Sequence, residues 1–184
     1  MKELSLHMLD IAQNSISAGA SRIALTVEEE GGRIRLVVTD DGRGMSPEFL
    51  AAAADPFTTT RTTRKVGMGL ALYLLAAEQT GGRLSIDSAQ GQGTTVTATF
   101  DRNHLDCPPL GDLAGTVALL IQGSPELELH YCHTAPGGEA ELSTVELKEV
   151  LGDDISLAEP EIFAWIQNYL SEQEAQLEGA VQER

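Results

Sequence analysis

Arg33-Ile34-Arg35-Leu36-Val37-Val38-Thr39, followed at once by Asp40-Asp41-Gly42-Arg43-Gly44-Met45, is the stretch that decides the fold. The first seven residues largely alternate apolar with polar, the pattern of a half-buried strand. An acid and two glycines then arrive where the strand leaves its sheet. Glycine tolerates positive φ and lets a ligand approach the backbone closely. A carboxylate at that point can accept a hydrogen bond from a ligand's amino group. Asp-Asp-Gly is equally ordinary turn chemistry, so the choice depends on what flanks it.

Upstream, Ser21–Glu30 alternates through Ile23, Leu25 and Val27, and Gly31-Gly32 turns it into the strand just described, a hairpin. Before it, residues 3–18 carry Leu4, Met8, Leu9, Ile11, Ala12 and Ile16 at helical spacing, with Gly19 as the stop. Downstream, Ser46-Pro47-Glu48 opens a short alanine-rich helix that Asp55-Pro56 closes. Residues 56–66 lack apolar periodicity and read as a mobile loop. Gly67-Met68-Gly69 starts a helix running to about Gln79, and Arg83–Ser88 with Thr94–Phe100 forms a second hairpin. This order predicts a sheet with helices on one face, a two-layer α/β sandwich over residues 1–101.

Asn103–Pro109 reads as a linker. Beyond it the pattern predicts a helix around Asp112–Ile121, strands near Leu127–Tyr131 and Glu139–Leu142, a helix near Val145–Leu151, and a final helix from Pro160 to about Gln176. The last would bury Ile162, Phe163, Ile166, Tyr169 and Leu170 on one face. Residues 110–184 would form a small acidic α/β domain. The charge is divided accordingly. Of the net −16, residues 1–100 hold nine basic and eleven acidic residues, and residues 101–184 hold three and seventeen. Such a C-terminal part should repel nucleic acid and anionic membranes and attract a basic protein partner, or simply keep the chain soluble. No apolar run approaches the roughly 20 residues of a membrane span, and no signal-peptide core is present. Two cysteines make no disulfide framework. A cytoplasmic protein is expected.

The first helix carries His7, Asp10, Asn14 and Ser17 at spacings that align them in one polar stripe. An amphipathic helix shows such a stripe to water. A Mg-nucleotide site would use it differently, with the Asn14 amide oxygen on Mg²⁺ and Asp10, one turn away, as general base.

Four segments then fall in order: Asp10-Ile-Ala-Gln-Asn14-Ser-Ile-Ser-Ala-Gly-Ala, Asp40-Asp-Gly42-Arg-Gly44-Met, Gly67-Met-Gly69-Leu-Ala-Leu, and Gly91-Gln-Gly93-Thr94-Thr-Val. The series, over residues 3–100, resembles the ATP-binding domain shared by DNA gyrase, the heat-shock chaperone of that superfamily, histidine kinases and MutL. Asn14 to Ala20 is most similar to the MutL form. Asp55-Pro56-Phe57 with Thr59-Thr60-Arg61 resembles the lid segment of histidine kinases. The resemblance implies ATP and Mg²⁺ as cofactors. Asn14 would hold Mg²⁺, Asp10 would stand at the base position, and Asp40 would accept from the adenine amino group. Gly42, Gly44 and Met45 would let the backbone pass the nucleotide, and Thr94 would support Asp40. Gly67, Met68, Gly69 and Leu70 would present backbone N–H groups to phosphate, with Arg61, Arg64 or Lys65 reaching the γ-phosphate.

The chain departs from the pattern where Asp10 replaces the usual Glu, where Asp41 replaces Asn and adds charge near the base pocket, and where Ala71 replaces a glycine. Three activities fit: slow hydrolysis with lid closure and partner regulation, phosphorylation of a separate protein, and non-catalytic sensing of ATP or ADP. Self-phosphorylation is disfavoured because no phosphoacceptor helices precede the first motif. Gyrase- or MutL-type work on DNA is disfavoured by the short acidic C-terminal part. There, His104, Cys107, His130, Cys132 and His133 have metal-ligand character, though their spacing fits no common zinc signature. The segment His104–Asp112 loosely resembles the tail of small ATP-binding proteins of anaerobic bacteria found near iron-only hydrogenase components. That implies a partner role in redox-enzyme regulation or assembly.

Overall fold

Alternation translates directly into a one-sided sheet. In the computed structural model, which describes residues 3–54, 68–152 and 154–182, β1 (Arg22–Glu30) and β2 (Arg33–Asp40) form the predicted hairpin. The second hairpin is β3 (Arg83–Ala89) with β4 (Gly93–Asp101), and β4 pairs antiparallel with β2. Ile23, Leu25 and Val27, Ile34, Leu36 and Val38, and Val96, Ala98 and Phe100 all turn to one face and are buried. Full burial of one such side chain stabilises by about 1.5–3 kcal/mol. The other face carries Thr26, Arg35, Thr39, Thr97 and Thr99, exposed or half-buried.

Helices cover the apolar face. They are α1 (Leu4–Ser17), the short α2 (Pro47–Ala54), whose Phe49 N–H is capped by Ser46 Oγ at 3.3 Å, and α3 (Met68–Gln79). The two-layer sandwich expected from the sequence is therefore present. The chain after residue 103 adds α4 (Leu113–Gly123), β5 (Glu128–Ala135), β6 (Gly138–Ser143), α5 (Thr144–Leu151) and α6 (Pro160–Gln182).

That C-terminal part does not stand apart from the rest as a second sheet. β5 pairs parallel with β1 from Arg22↔Glu128 to Glu28↔Thr134, and the hairpin β5–β6 extends one six-stranded sheet of order β3-β4-β2-β1-β5-β6. The physical reason is visible in α4. Eight of its eleven residues are buried, so it needs neighbours on nearly every side. It finds them in α1 and α6, and its side chains join the same hydrophobic cluster as Leu4, Leu25 and Leu36.

A buried polar relay fastens α6 to the sheet. His133 on β5 contacts Glu174 of α6 through Nδ1 at 2.7 Å and Glu29 of β1 through Nε2 at 3.1 Å. Tyr131 donates its hydroxyl to Glu174 at 2.6 Å, and Arg102 forms an ion pair with Glu29. Burial and the Glu174 carboxylate push the Tyr131 phenol well above its ordinary range. Along α6, Ile166 and Leu170 are buried as predicted, but Tyr169 turns outward. Its phenol ring sits on the flank of the apolar stripe and stacks on Trp165. No helix among the described residues is long and apolar enough to cross a membrane.

Candidate functional site

The parity that buries Ile34, Leu36 and Val38 also turns Asp40 to the helix-covered side at the last position of β2, where it is 9% exposed. A buried carboxylate needs donors. Ser15 of α1 donates its hydroxyl to Oδ2 at 2.5 Å, while Gly42 and Thr94 donate backbone N–H groups to Oδ1 at 2.9 and 3.2 Å. Oδ1 is then saturated, and Oδ2 keeps one lone pair. Thr94 thus reaches Asp40 through its backbone, and its hydroxyl pairs with Ser88 Oγ at 2.9 Å.

The loop after Asp40 is tied at successive residues. Asp41 accepts from the N–H groups of Ser21 and Arg22, each at 2.8 Å, and from Ser21 Oγ at 3.1 Å. These bonds, the Arg22 N–H foremost, hold its carboxyl below the usual range. Its carboxylate is thus engaged at the start of β1, next along the chain from Asp40. Arg43 donates its N–H to the Ala18 carbonyl (3.1 Å) and accepts from Gly91 N–H (2.7 Å). Met45 donates its N–H to Ser88 Oγ at 2.9 Å. Gly44 adopts φ +63, and a Cβ there would collide with the Ala89 carbonyl, so only glycine fits against the β3–β4 turn. Gly42 is buried beside Ala18 and Asp40. Ser15 and Ser88 escaped the sequence reading. The helical spacing Met8, Ile11, Ser15 marks the first as inward-facing, whereas nothing local marks the second.

The polar stripe of α1 divides. His7 is buried away from solvent and stacks on Tyr73 with ring centroids 4.6 Å apart; neither ring nitrogen has a hydrogen-bond partner. Burial lowers its pKa from 6.5 to about 4, so it is a neutral core residue. Asp10 is half-buried. Its Oδ2 is shielded and unpartnered, and it presses on the first turn of α3 where a Cβ on Gly69 would overlap it. The missing Cβ brings the helix start against a carboxylate one methylene shorter than Glu. Asn14 and Ser17 are exposed one and two turns on. Leu70 places its side chain in the core, so what it can offer a ligand is its backbone N–H, beside those of Met68 and Gly69 in the first turn of α3. Arg61, Arg64, Lys65 and Gly67 lie outside the described residues, and so does the expected lid segment 56–66.

The His and Cys residues of the C-terminal part do not converge. His133 is in the buried relay on the helix side. His130 and Cys132 point to the open side of the sheet, where His130 Nε2 meets Glu141 at 2.7 Å and Cys132 lies near Glu139 and Thr134. His104 and Cys107 sit in the 103–109 segment. No group of three such side chains among the described residues is arranged to hold a metal ion. Strand alternation separates neighbours in sequence, which is why the string His130–His133 makes no site.

An acceptor at the end of β2, a hydrogen-bonded glycine loop beside it, and the start of α3 against the Asp10 carboxylate lie on the helix-covered side of the sheet. Residues 2–104 match the model of the histidine kinase-, DNA gyrase B- and HSP90-like ATPase family, and the chain belongs to that family. It therefore carries an ATP-binding domain. It is similar to the sensor histidine kinase ZraS of Escherichia coli (strain K12), at 34% identity over 56% of this chain and 23% of that one. It is also similar to the DNA mismatch repair protein MutL of Rhodospirillum rubrum, at 46% identity over 28% of this chain and 8% of that one. The chain thus spans less than a quarter of the length of these curated relatives. Among solved structures, the N-terminal domain of a DNA repair protein shares the fold. It has a TM-score of 0.53 and 16% identity, and the likeness covers 78% of this chain and 53% of that one. That coverage extends past the family segment.

Proposed function

We propose that this chain binds ATP with Mg²⁺ between α1, the Asp41–Met45 loop and the start of α3, hydrolyses it slowly, and regulates a separate protein through that cycle. The observation that carries the proposal is Asp40. Its carboxylate is buried, three internal donors fix it, and one lone pair on Oδ2 remains. That geometry suits a single N–H donor such as the adenine amino group. The backbone of Gly42, Gly44 and Met45 flanks the base. The first-turn N–H groups of Met68, Gly69 and Leu70 hold phosphate oxygens at the positive end of α3. Asn14, exposed beside Ser15, offers its amide oxygen to Mg²⁺, which when bound neutralises phosphate charge. Asp10 accepts the proton of the attacking water, and ADP and phosphate leave. By resemblance, Arg61, Arg64, Lys65 and Gly67 complete the phosphate contacts, and the 56–66 segment closes over them.

The likeness to a sensor histidine kinase favours a second activity, transfer of the γ-phosphoryl group to a side chain of a separate protein. Labelled ATP added to lysate with the purified chain separates the two: label on one protein band supports the kinase, and released phosphate alone supports the hydrolase. Absence of both leaves ATP binding without turnover.

Calorimetry tests the binding itself. Mg-dependent ATP affinity is expected, with Asn14→Ala abolishing the Mg-dependent part; no affinity for ATP or ADP overturns the proposal. Asp10→Asn should lower turnover by about 10²–10⁴ while binding persists. Unchanged turnover would remove Asp10 from the base role.

A further inference from the structure

We propose that two copies of this chain associate through the open face of the six-stranded sheet, about a two-fold axis that runs along the strands above the β1–β2 seam. Pairing is unbroken from β3 to β6, so the register sets the side chains of this face in rows. One row, read from β3 to β6, is Arg83, Thr99, Arg35, Glu28, Thr134 and Glu139. Strand parity turns all six away from the helices, and each is exposed or half-buried. The row is basic on the β2 side of the seam and acidic on the β1 side, in mirror-image order. The neighbouring rows place Thr97, Val37 and Thr26, then Thr95, Thr39 and Ala24, at the middle of the face. This central field is uncharged, while α1, α3, α4 and α6 pack on the opposite face.

Charge selects both the occupant and the axis. A second copy turned about this axis lays Arg35 over Glu28, Arg83 over Glu139, Val37 over Thr26 and Thr39 over Ala24. Each contact is made twice, as a two-fold interface requires. An axis above β2 would set Arg35 on itself, and one above β1 would set Glu28 on itself. An axis across the strands through Val37 would set Glu141 on itself. Arg35 already meets Glu28 of its own chain at 2.7 Å, so the copy completes an alternating group of four charges. Among the described residues, Arg83 and Glu139 have no ion-pair partner. Within one chain they stand at opposite edges of the sheet, ~24 Å apart. A groove of about 380 Å³ at one end of the face, whose lining includes Ala24, Thr39, Ser143 and Val145, receives the end of the copy's β3, with Asp87 opposite the Ser143 hydroxyl. A polyanion would instead meet Glu28, Glu139 and Glu141. The net charge of −16 opposes self-association at long range, but salt screens it, and Arg22, Arg33, Arg35 and Arg83 all lie on this face.

The sheet is ~24 Å wide and Arg22–Glu28 ~20 Å long, a footprint of ~480 Å² per copy and ~1,000 Å² for the pair, the lower bound of a specific interface. The dimer is accordingly weak, with Kd on the order of 10 μM. It draws nothing from the nucleotide reading, since α3 and the Asp40 carboxylate face outward in both copies. The test is sedimentation equilibrium of the full chain from about 1 to about 300 μM, where a monomer–dimer equilibrium is expected. Arg83→Glu and Glu139→Arg should each raise Kd about tenfold or more, because each acts at two symmetric contacts and turns attraction into repulsion. Arg83→Glu/Glu139→Arg in one chain should restore association. An equimolar mixture of the two single variants should do the same as a heterodimer, and ~24 Å within one chain excludes internal rescue. Val37→Lys, at the centre, should weaken the dimer about tenfold or more, and Glu172→Arg, exposed on α6, less than about threefold. Thermal melts check that the variants fold, and Thr97→Lys replaces any that does not. A monomer at every concentration, indifference to Arg83→Glu or Val37→Lys, or no recovery on charge exchange would overturn the proposal. Loss of ATP affinity with the dimer intact would sink the nucleotide reading alone.

Discussion

Replacing Asp40 by asparagine should convert the base pocket's preference while sparing the fold. Oδ1 accepts two backbone N–H groups, from Gly42 and Thr94, so the amide must keep its oxygen there. The NH₂ group then falls at the Oδ2 position. Ser15 can adjust, because its hydroxyl also lies 3.2 Å from the Ile11 carbonyl and can turn its proton there while accepting from the new amide. The internal network survives with one neutral bond in place of a charge-assisted one, a stability cost of about 1 kcal/mol. A ligand amino group now meets a donor instead of a lone pair. Losing a hydrogen bond to a charged acceptor costs about 1.5–3 kcal/mol, or roughly 10- to 150-fold in ATP affinity. The same NH₂ suits the 6-oxo group of a hypoxanthine nucleotide, so ITP should gain on ATP. Calorimetry with ATP and ITP on both proteins, alongside a thermal melt, measures all three quantities. A folded Asp40→Asn protein with unchanged ATP affinity would refute the assignment of Asp40 to the adenine amino group.

Further variants probe what holds this pocket and the core behind it. Ser88→Ala unties Met45 N–H and Thr94 Oγ1 together; melting should show a loss of about 1–2 kcal/mol, and ATP affinity should fall through loosening of the glycine loop. His7 titrates at 6.5 when unfolded and at about 4 in place. The unfolded chain therefore takes up the proton first, and the associated stability is lost as pH falls from about 6.5 to 4, reaching ~3 kcal/mol below that. Denaturant titrations at several pH values should show His7→Phe without this component, as the difference between variant and parent across that window. Glu174→Ala removes the acceptor shared by His133 Nδ1 and the Tyr131 hydroxyl. Stranding those buried groups should cost about 3–5 kcal/mol in denaturant melts, and a loss below about 1 kcal/mol would mean that the relay does not fasten α6.

Local chemistry made half of this molecule legible. Alternation in β1 to β4, with glycines as stops, is a short-range signal, and the two-layer sandwich follows from it. The position of Asp40 was legible for the same reason. An acid that continues the parity of Ile34, Leu36 and Val38 has to face the helices. The α1 stripe was harder. Helical spacing aligned His7, Asp10, Asn14 and Ser17, but burial by α3 depends on a neighbour more than fifty residues away, and that neighbour separates a neutral core histidine from a cleft carboxylate and an exposed amide. Ser88 belongs to the same class, because its role depends on the register of two hairpins.

The joining of β5 to β1 shows where sequence reading ends. A parallel pair across about a hundred residues leaves no turn signature, and the division of charge near residue 101 suggests a boundary that the packing ignores. Charge patterning reports on the surface, whereas domain unity is decided by the core. α4 is buried at eight of its eleven positions, and the acidic segment packs onto α1 and β1 through it and β5. One consequence is mechanical. Ser15 on α1 holds Asp40, and α4 packs directly on α1, with α6 packed on α4 in turn. α6 and the Asp40 loop are thereby connected by packed helices within one core, so an arrangement of the helix stack that shifts α6 also bears on what holds Asp40.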